Sequence, residues 1–561
     1  MLTRIIIKNF RGIKSAEILN LGKINLFIGR NNVGKSCILE AICFIRCLFY
    51  PSLLNEPLPY LLLERRGMGR PFYTTRNFWY NYRTENNIFL ELEFRKSEKL
   101  NIEIVWVSDD RFRMLLNDPS GKLSASIGGK YFYQVELYLS GSLYQSAGNL
   151  SDFIYSYPEF SHYLKNITLI DDYLARKLER LETNIYGKIL EPRLDKKLVK
   201  ELNECYGIEA EGLAFIPASP TTRTFRLAVT TPKESLHIDE IGDGTKYAAN
   251  ILSLCLLLEN TALLIEEVES HQHSSALEKF LQNLVDIAIE RNIQLFVTTH
   301  SLEVIQILSK LTEKYDIRFF HLIRSAEGEL TVREIPGIDT KLLSDIGLDM
   351  RRIETYKKFI VIEGNEDEVF LEQLFKKYGK ILKDLAYVIR AWSKEQVKNV
   401  VVALSSTGKE IIAMQDYDKN KREEIIESFS KTLENRYSFE LKDNVFKIKG
   451  GSMIMILPMG LPNDETLMKV GITQHEMEDY CLKLIALDEN VRKWTGLTLE
   501  ELAEDAKRAK FRELNKSSTL LRVLAGKKGI AYENLIRSII ENANIESLGK
   551  IIRDLEILLK Q

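Results

Sequence analysis

The chain has 561 residues, with 77 Lys and Arg against 79 Asp and Glu, a formal net charge of −2. That balance excludes a tail-driven, histone-like nucleic-acid binder, though not a local basic groove, because net charge does not report distribution. A hydrophobic fraction of 45% beside 28% charged residues excludes a disordered chain and supplies core for about two to four domains of ~150 residues.

The six cysteines (Cys37, Cys43, Cys47, Cys205, Cys255 and Cys481) form no CxxC pair and no Cys/His cluster of zinc spacing. Such sparse usage fits a reducing compartment. The N-terminal apolar run Ile5–Ile7 is too short for a signal peptide, and the longest apolar run, Ile251–Leu258, is too short to span a bilayer. The expectation is a cytoplasmic protein with no membrane partner.

In chain order, Arg4–Lys8 and Ile24–Ile28 read as β-strands, and a helix starts at Lys35 with Ile38, Leu39, Ile42 and Ile45 on one face. Residues 70–140 alternate, as in Phe89–Phe94 and Tyr131–Tyr138, which predicts antiparallel strands. Leu174, Leu178, Leu181, Ile185 and Ile189, then Leu194, Leu198 and Leu202 after Pro192, recur at helical spacing amid dense charge. They define a helical insertion over about 150–210, read either as a surface cover or as a dimerisation arm. Strands are expected at Ala262–Ile265 and Gln294–Thr298, with a helix over Ser275–Ile289 between them. The apolar pattern thins from Pro336 to Tyr356, giving a linker at 341–357. Beyond it lie strands at Phe359–Ile362, Ile411–Met414 and Ile454–Leu457 and a helical tail from Thr498. The expected domains are 1–340 and 358–561.

Residues 29–36, Gly-Arg-Asn-Asn-Val-Gly-Lys-Ser, match the full GxxxxGK[ST] pattern between a strand and a helix. Glycines let successive N–H groups face phosphates, and the helix start adds partial positive charge. Asn31, Asn32, Gly34, Lys35 and Ser36 are therefore ATP-binding candidates, with Lys35 for the β/γ-phosphates and Ser36 for Mg²⁺. The strand Leu263–Ile265 ends in Glu266 and Glu267; the first is placed on Mg²⁺ and the second on the attacking water. His300 ends a further strand and is the candidate γ-phosphate sensor. Gly242-Asp243-Gly244 opens a helix and suits a γ-phosphate presented by a second subunit. His271 and His273 lack a third partner for a metal.

Asn9-Phe10-Arg11-Gly12, the phosphate loop, the Gly-Asp-Gly-Thr turn, Glu266-Glu267 and Thr299-His300-Ser301 occur in the order of ABC-type ATPases of the SMC/RecF branch, which the sequence resembles. The resemblance implies a head-to-head homodimer, or a higher homo-oligomer, with ATP between the loop of one subunit and Gly242 and Gly244 of the other. It also implies Arg11 beside the nucleotide. The family's LSGGQ signature is reduced here, and the Pro expected after the paired acids is Val268.

A second set of acids follows. Phe359–Ile362 runs into Glu363-Gly364, with Asp367 opening a helix, and Ile411–Met414 runs towards Asp416 and Asp418. In an extended segment Asp416 and Asp418 point the same way. Carboxylates gathered at one sheet edge repel unless a cation sits among them, and hard oxygen donors suit Mg²⁺ or Mn²⁺. Glu363, Asp367, Asp416 and Asp418 are therefore the metal candidates. The arrangement resembles the Toprim fold, whose family chemistry is metal-dependent cleavage or joining of phosphodiesters. That resemblance points to Glu478, or Asp479, as a further ligand. It also expects a late lysine, for which Lys527 or Lys528 is the candidate.

An ABC-type P-loop ATPase domain with a helical insertion, followed by a Rossmann-like Toprim α/β domain, is the architecture of the OLD (overcoming-lysogenisation-defect) nucleases, and the nuclease subunit of the Gabija system is similar. The resemblance implies an α/β protein that cuts DNA under nucleotide control, often in defence against phage or plasmids, in some relatives with a separately encoded helicase. Glu267, His300, Glu363, Asp416, Asp418 and Lys527 are then the catalytic candidates. The exposed-looking basic run Lys419–Arg422 would hold DNA phosphates. Two other classes stay open: a topoisomerase- or primase-like enzyme, and an ATP-gated DNA clamp or sensor without nuclease activity.

Overall fold

The computed structural model describes residues 1–49, 58–67, 74–95, 99–117, 133–138, 143–147, 158–178, 182–217 and 225–555. The chain divides into two compact units, Met1–Lys341 with Asp349–Arg351, and Leu342–Leu348 with Arg352–Gln561. Among the described residues no helix is long and apolar enough to cross a membrane.

The first unit is built on one large mixed sheet. Its parallel centre runs Ile317–Arg324, Ile24–Ile28, Gln294–Thr298, Ala262–Ile265 and Thr168–Ile170. Three of these, Ile24–Ile28, Ala262–Ile265 and Gln294–Thr298, are buried at every position. Their near-continuous apolar sequence reflects cover on both faces, as parallel sheets require. Towards the other edge the sheet continues through Glu329–Ile335, Ile13–Ile18, Leu2–Phe10, Ile88–Phe94, Lys99–Ser108, Arg111–Asn117, Tyr133–Tyr138 and Leu143–Ala147. All the pairs from Ile13–Ile18 to Leu143–Ala147 are antiparallel. Ile88–Phe94 buries alternate residues, the pattern of a strand with one covered face. That cover includes a ring cluster of Phe10, Phe44, Phe78 and Phe112, with Phe44 and Phe78 centroids 4.6 Å apart.

The described part of the helical insertion packs into its own unit. It supplies the strand Thr168–Ile170, which pairs with Ala262–Ile265 in the main sheet. Its helices Glu182–Leu190 and Asp195–Tyr206 pack on the helix Asp243–Leu257. Leu174, Ile185, Ile189, Leu198 and Leu202 are buried. At these described positions the stripe is covered within its own unit. Leu181, and Tyr131 of the expected strand Tyr131–Tyr138, lie outside the described residues.

The second unit holds a six-stranded sheet in the order Tyr387–Arg390, Lys358–Ile362, Glu410–Asp416, Met453–Met459, Val445–Ile448, Phe439–Lys442. The first four strands are parallel and the last two turn back antiparallel. The helices Glu478–Leu487, Ser517–Lys528 and Tyr532–Asn542 belong to the same core through Tyr480, Leu484, Leu521, Leu524, Ile536 and Ile540. The stretch expected as a linker is not featureless: it carries the helix Gly337–Asp345 and a 3₁₀ segment Met350–Thr355. Leu343, Leu348, Met350 and Ile353 are buried there. Their irregular spacing hid them from a periodicity argument.

Candidate functional site

In the first unit the strand Ile24–Ile28 delivers the loop 29–34 to the start of the helix Lys35–Phe44. Gly34 takes φ 118 at the helix N-cap, a conformation open to glycine and costly for any other residue. Lys35 is 5% exposed and curls back, Nζ donating to the carbonyls of Gly29 at 2.8 Å and Arg30 at 3.0 Å. Asn31 and Asn32 are exposed on the same loop, Asn32 at φ 62. Parallel pairing of Ile24–Ile28 with Gln294–Thr298, and of that strand with Ala262–Ile265, brings the strand ends together. Ser36 Oγ donates to Glu266, and His300 Nδ1 lies 3.5 Å from Lys35 Nζ. His300 Nε2 stands 3.6 Å from Glu267 Oε1. Thus Lys35, Ser36, Glu266, Glu267 and His300 form one site.

Burial, then the neighbouring Glu266 and Glu269, pushes the Glu267 carboxyl above its ordinary range. Burial and Lys35 lower His300, favouring the neutral imidazole. A hydroxyl and a carboxylate meeting at Ser36 and Glu266 are hard oxygen donors of the kind Mg²⁺ takes. Gly242, at φ 106, caps the helix Asp243–Leu257. Gly244 packs where a Cβ would fall 2.5 Å from the His271 carbonyl oxygen, so no larger residue fits without shifting the backbone.

Arg11 is engaged by protein partners and reaches the site through Glu40, which it shares with Arg65. Its Nε pairs with Glu40 at 3.1 Å, an Nη donates to the Leu62 carbonyl at 2.9 Å, and its guanidinium lies 4.8 Å from the Phe78 ring centre. Its side chain is nearly enclosed by these partners. The cation the sequence did not flag is Arg65, which pairs with Glu40, Asp171 and Glu266 with its side chain 3% exposed. Burial alone would raise Glu40, but Arg11, Arg65 and Arg66 hold it down at about 2. Glu269 was also missed. Its carboxylate accepts from the His300 N–H at 2.6 Å and the Thr299 hydroxyl at 3.0 Å, fixing the turn that carries His300. Arg351 donates to the His300 carbonyl at 2.6 Å.

In the second unit the parallel register sets Lys358–Val361 against Glu410–Ala413, so Glu363 and Asp416 leave neighbouring strands at the same edge. Glu363 Oε1 accepts from the Asp416 N–H at 3.2 Å. Asp416 Oδ1 accepts from the Met477 N–H at 3.0 Å, and Asp367 Oδ2 from the Gly364 N–H at 2.9 Å. Glu478 is buried and accepts from the Tyr532 hydroxyl at 2.9 Å. Burial pushes Glu363 up to about 7, Asp367 to about 6 and Glu478 to about 8. Asp416 is raised well above its usual range, by burial first and then by Asp367, Glu478, Glu363 and Glu476. Four carboxyls raised first by burial and then by acidic neighbours mark a site short of positive charge.

The gathering is incomplete. Among the described residues no three His, Cys, Asp or Glu side chains stand close enough to share one ion. Asp418 is the clearest departure from expectation. The chain is not extended through it: φ is 50, and its backbone bridges His475, with N–H to carbonyl distances of 2.7 and 2.9 Å. The alternation argument therefore fails at Asp418, whose carboxylate pairs with Lys394. Asp479 is engaged by the Leu461 N–H, His475 Nδ1 and the Ser517 hydroxyl, a structural role. The donor set still has the chemistry of a Mg²⁺ or Mn²⁺ site, being all carboxylate oxygen.

Lys527 is a correction. It lies in the last turn of the helix Ser517–Lys528, paired with Asp505. Ser517 and Ser518, at the first turn, are the residues that meet Asp479 and Glu476, about ten residues or ~15 Å away along the axis. Lys528 donates to the Trp494 carbonyl at 2.6 Å. The lysines near the acids are Lys394, whose Nζ also donates to the Asp416 carbonyl at 3.0 Å, and Lys516, which pairs with Glu513 at 3.1 Å and also feels Glu476 and Asp418. Ser393 caps the helix that Lys394 opens, its hydroxyl accepting from the Gln396 N–H at 3.2 Å, and nothing in the sequence aims Lys394 at this edge. Lys419, Lys421 and Arg422 are exposed just beyond Asp418.

Comparison with known proteins bears on the first of these sites. A family model described as "AAA domain, putative AbiEii toxin, Type IV TA system" matches residues 24–306. The chain is 23% identical over 352 residues to the "ATP/GTP phosphatase" of Helicobacter pylori, covering 56% of this chain and 90% of that protein. It is 34% identical over 113 residues to the "Uncharacterized protein MJECL11" of Methanocaldococcus jannaschii, covering 20% of this chain and 99% of that one. Among solved structures it is similar to the "SMC head domain from Thermotoga maritima" at 13% identity and a TM-score of 0.33, covering 60% of this chain and 99% of that chain.

Proposed function

The chain belongs to the AAA-domain family whose model spans its phosphate loop and paired acids, and on that premise we propose that it is an ATP-regulated, divalent-metal-dependent DNA endonuclease of the OLD type, with a Toprim-like second unit. Lys35 and the loop N–H groups hold the triphosphate, and Ser36 and Glu266 hold its Mg²⁺. Glu267 orients the attacking water. His300, kept neutral by burial and Lys35, senses the γ-phosphate. ATP hydrolysis is further supported by the phosphatase name of the Helicobacter pylori relative. A homodimer would let Gly242 and Gly244 of one subunit face the nucleotide of the other.

The observation that carries the nuclease half is that Glu363 and Asp416 leave neighbouring parallel strands side by side, with Asp367 and Glu478 on helices near enough to act on Asp416, all four carboxyls raised first by burial and then by acidic neighbours. A divalent ion held there would neutralise the group and supply an activated water and charge stabilisation for phosphodiester hydrolysis. Glu363, Asp416, Asp367 and Glu478 would hold the ion by drawing closer together than they stand here. Lys394 keeps Asp418 and the Asp416 main chain in place, and Lys516 offsets the charge of the scissile phosphate. Lys419, Lys421 and Arg422 contact the DNA backbone, so affinity falls with salt.

The test is plasmid cleavage with Mg²⁺ or Mn²⁺, with and without ATP, by the wild type, Asp416→Ala and Lys35→Ala. Asp416→Ala stops cutting in every condition, whereas Lys35→Ala changes only the response to ATP. Continued cutting by Asp416→Ala would remove the assignment. The open spacing of the acids favours one competing reading, an ATP-gated DNA clamp without nuclease activity. In that case the wild type binds DNA in an ATP-dependent way and leaves every plasmid intact.

A further inference from the structure

Trp392 is 67% exposed and lies at φ 65, a left-handed conformation that an aromatic residue rarely adopts. It follows the strand Tyr387–Arg390 at the same sheet edge as the acids. Its N–H donates to the Glu363 carbonyl at 2.8 Å, and the preceding Ala391 N–H donates to the Ile362 carbonyl at 2.9 Å. Two residues on, Lys394 grips Asp418 and the Asp416 carbonyl. The Trp-Ser-Lys segment is thus stapled to both carboxylate-bearing strands. Its backbone is tied to Glu363, one of the residues that would bind the ion, while the residue stays largely exposed.

Packing does not explain this placement, because the indole is largely out of the core. The other tryptophans are less exposed: Trp79 is buried, and Trp106 and Trp494 are half-buried. An exposed aromatic residue beside a phosphodiester site, on a segment that Lys394 ties to Asp416 and Asp418, with basic Lys419, Lys421 and Arg422 following Asp418, matches how proteins hold single-stranded nucleic acid. The backbone is tracked by cations and the bases stack on rings.

We propose that Trp392 is a nucleobase-stacking residue that receives an unstacked base next to the scissile phosphate. The preferred substrate is then DNA with a single-stranded or frayed segment at the cut, rather than an unbroken duplex. This rests on the nuclease reading above and adds the substrate class to it. A base in an intact duplex keeps both faces covered by its neighbours and has none to offer the indole.

The test uses the full-length protein with Ca²⁺ in place of Mg²⁺ and an oligodeoxythymidylate as probe, reading tryptophan fluorescence. The wild type is quenched on binding. Trp392→Ala loses that quenching and binds about tenfold more weakly, whereas Trp392→Phe keeps most of the affinity. With Mg²⁺, a duplex carrying an unpaired stretch is cut by Trp392→Ala with a KM raised about tenfold and little change in kcat. A structural role would instead lower stability and act alike on all substrates. If Trp392→Ala binds the oligonucleotide and cuts the gapped duplex as the wild type does, this inference is wrong and the nuclease reading stands. If the wild type cuts no DNA of any form, both fall together.

Discussion

The two charged sites of this protein are assembled in opposite ways. The nucleotide site grows from one contiguous loop, 29–36, whose shape comes from its own glycines and the helix it opens; distant strands add only Glu266, Glu267 and His300. The carboxylate edge has no such nucleus. Glu363, Asp367, Asp416 and Glu478 come from three separate stretches and are held by single backbone N–H groups and one tyrosine. The first site brings its own cations, Lys35 and Arg65. The second is left short of positive charge, and its acids are pushed up towards protonation. The first site is partly neutralised by cations of its own chain, Lys35 and Arg65, beside the Mg²⁺ it would take up. A site whose cation must come from solution is strained until it arrives.

That contrast can be broken most sharply by removing one group from each side. Asp416→Ala should lower plasmid cleavage by ~10³-fold or more while leaving ATP affinity unchanged by equilibrium binding. Lys35→Ala should do the reverse, and loss of both properties in either variant would mean the sites are not separable.

Next in size is the built-in cation. Arg65→Ala leaves Glu40 buried with two arginines instead of three and strips Asp171 and Glu266 of their partner. Unfolding of the first unit should become easier by about 3–5 kcal/mol in a denaturant titration. A change within ~0.5 kcal/mol would show that the cluster is not a stabilising core.

The strain at the second site has a pH signature. Glu363 is raised from an ordinary 4.5 to about 7 in the folded protein. The folded state therefore holds a proton that the unfolded chain has released, and stability falls as pH rises through that window. Without metal, Glu363→Gln should match the wild type at pH 4 and exceed it above pH 7, with ~3 kcal/mol as the ceiling. Thermal melts across pH, with and without Mg²⁺, read this out, and Mg²⁺ should close the gap at high pH. A variant no more stable than the wild type at pH 8 would contradict it.

The smallest effect is expected at Tyr532. Tyr532→Phe deletes one hydrogen bond to buried Glu478 and should cost about 1–2 kcal/mol, together with weaker Mn²⁺ binding by calorimetry. Unchanged metal affinity would assign Tyr532 to packing alone.

Much of this architecture is legible in the residue pattern. Strands buried throughout, such as Ala262–Ile265, announce themselves as apolar runs, and acids at their ends inherit that certainty. Legibility stops where the backbone leaves its regular period. Asp418 reads as the partner of Asp416 only if the chain stays extended, and φ 50 breaks that premise. Lys527 stands out for its neighbours in sequence, yet the helix Ser517–Lys528 carries it away from the acids and presents its other end to them. The amphipathic insertion reads equally well as an arm or as a cover, because a stripe states that it is buried but not against what.

The sequence alone determined the phosphate loop, the paired acids behind it, and which strands end in carboxylates, since these depend on local backbone chemistry and on side-chain periods of fixed length. Only the tertiary structure decided which cations meet those acids. Arg65, Lys394 and Lys516 are ordinary charges in sequence. A long flexible side chain carries no local signal of its target, and its partner is chosen by the register of strands and helices that meet only when the chain is folded.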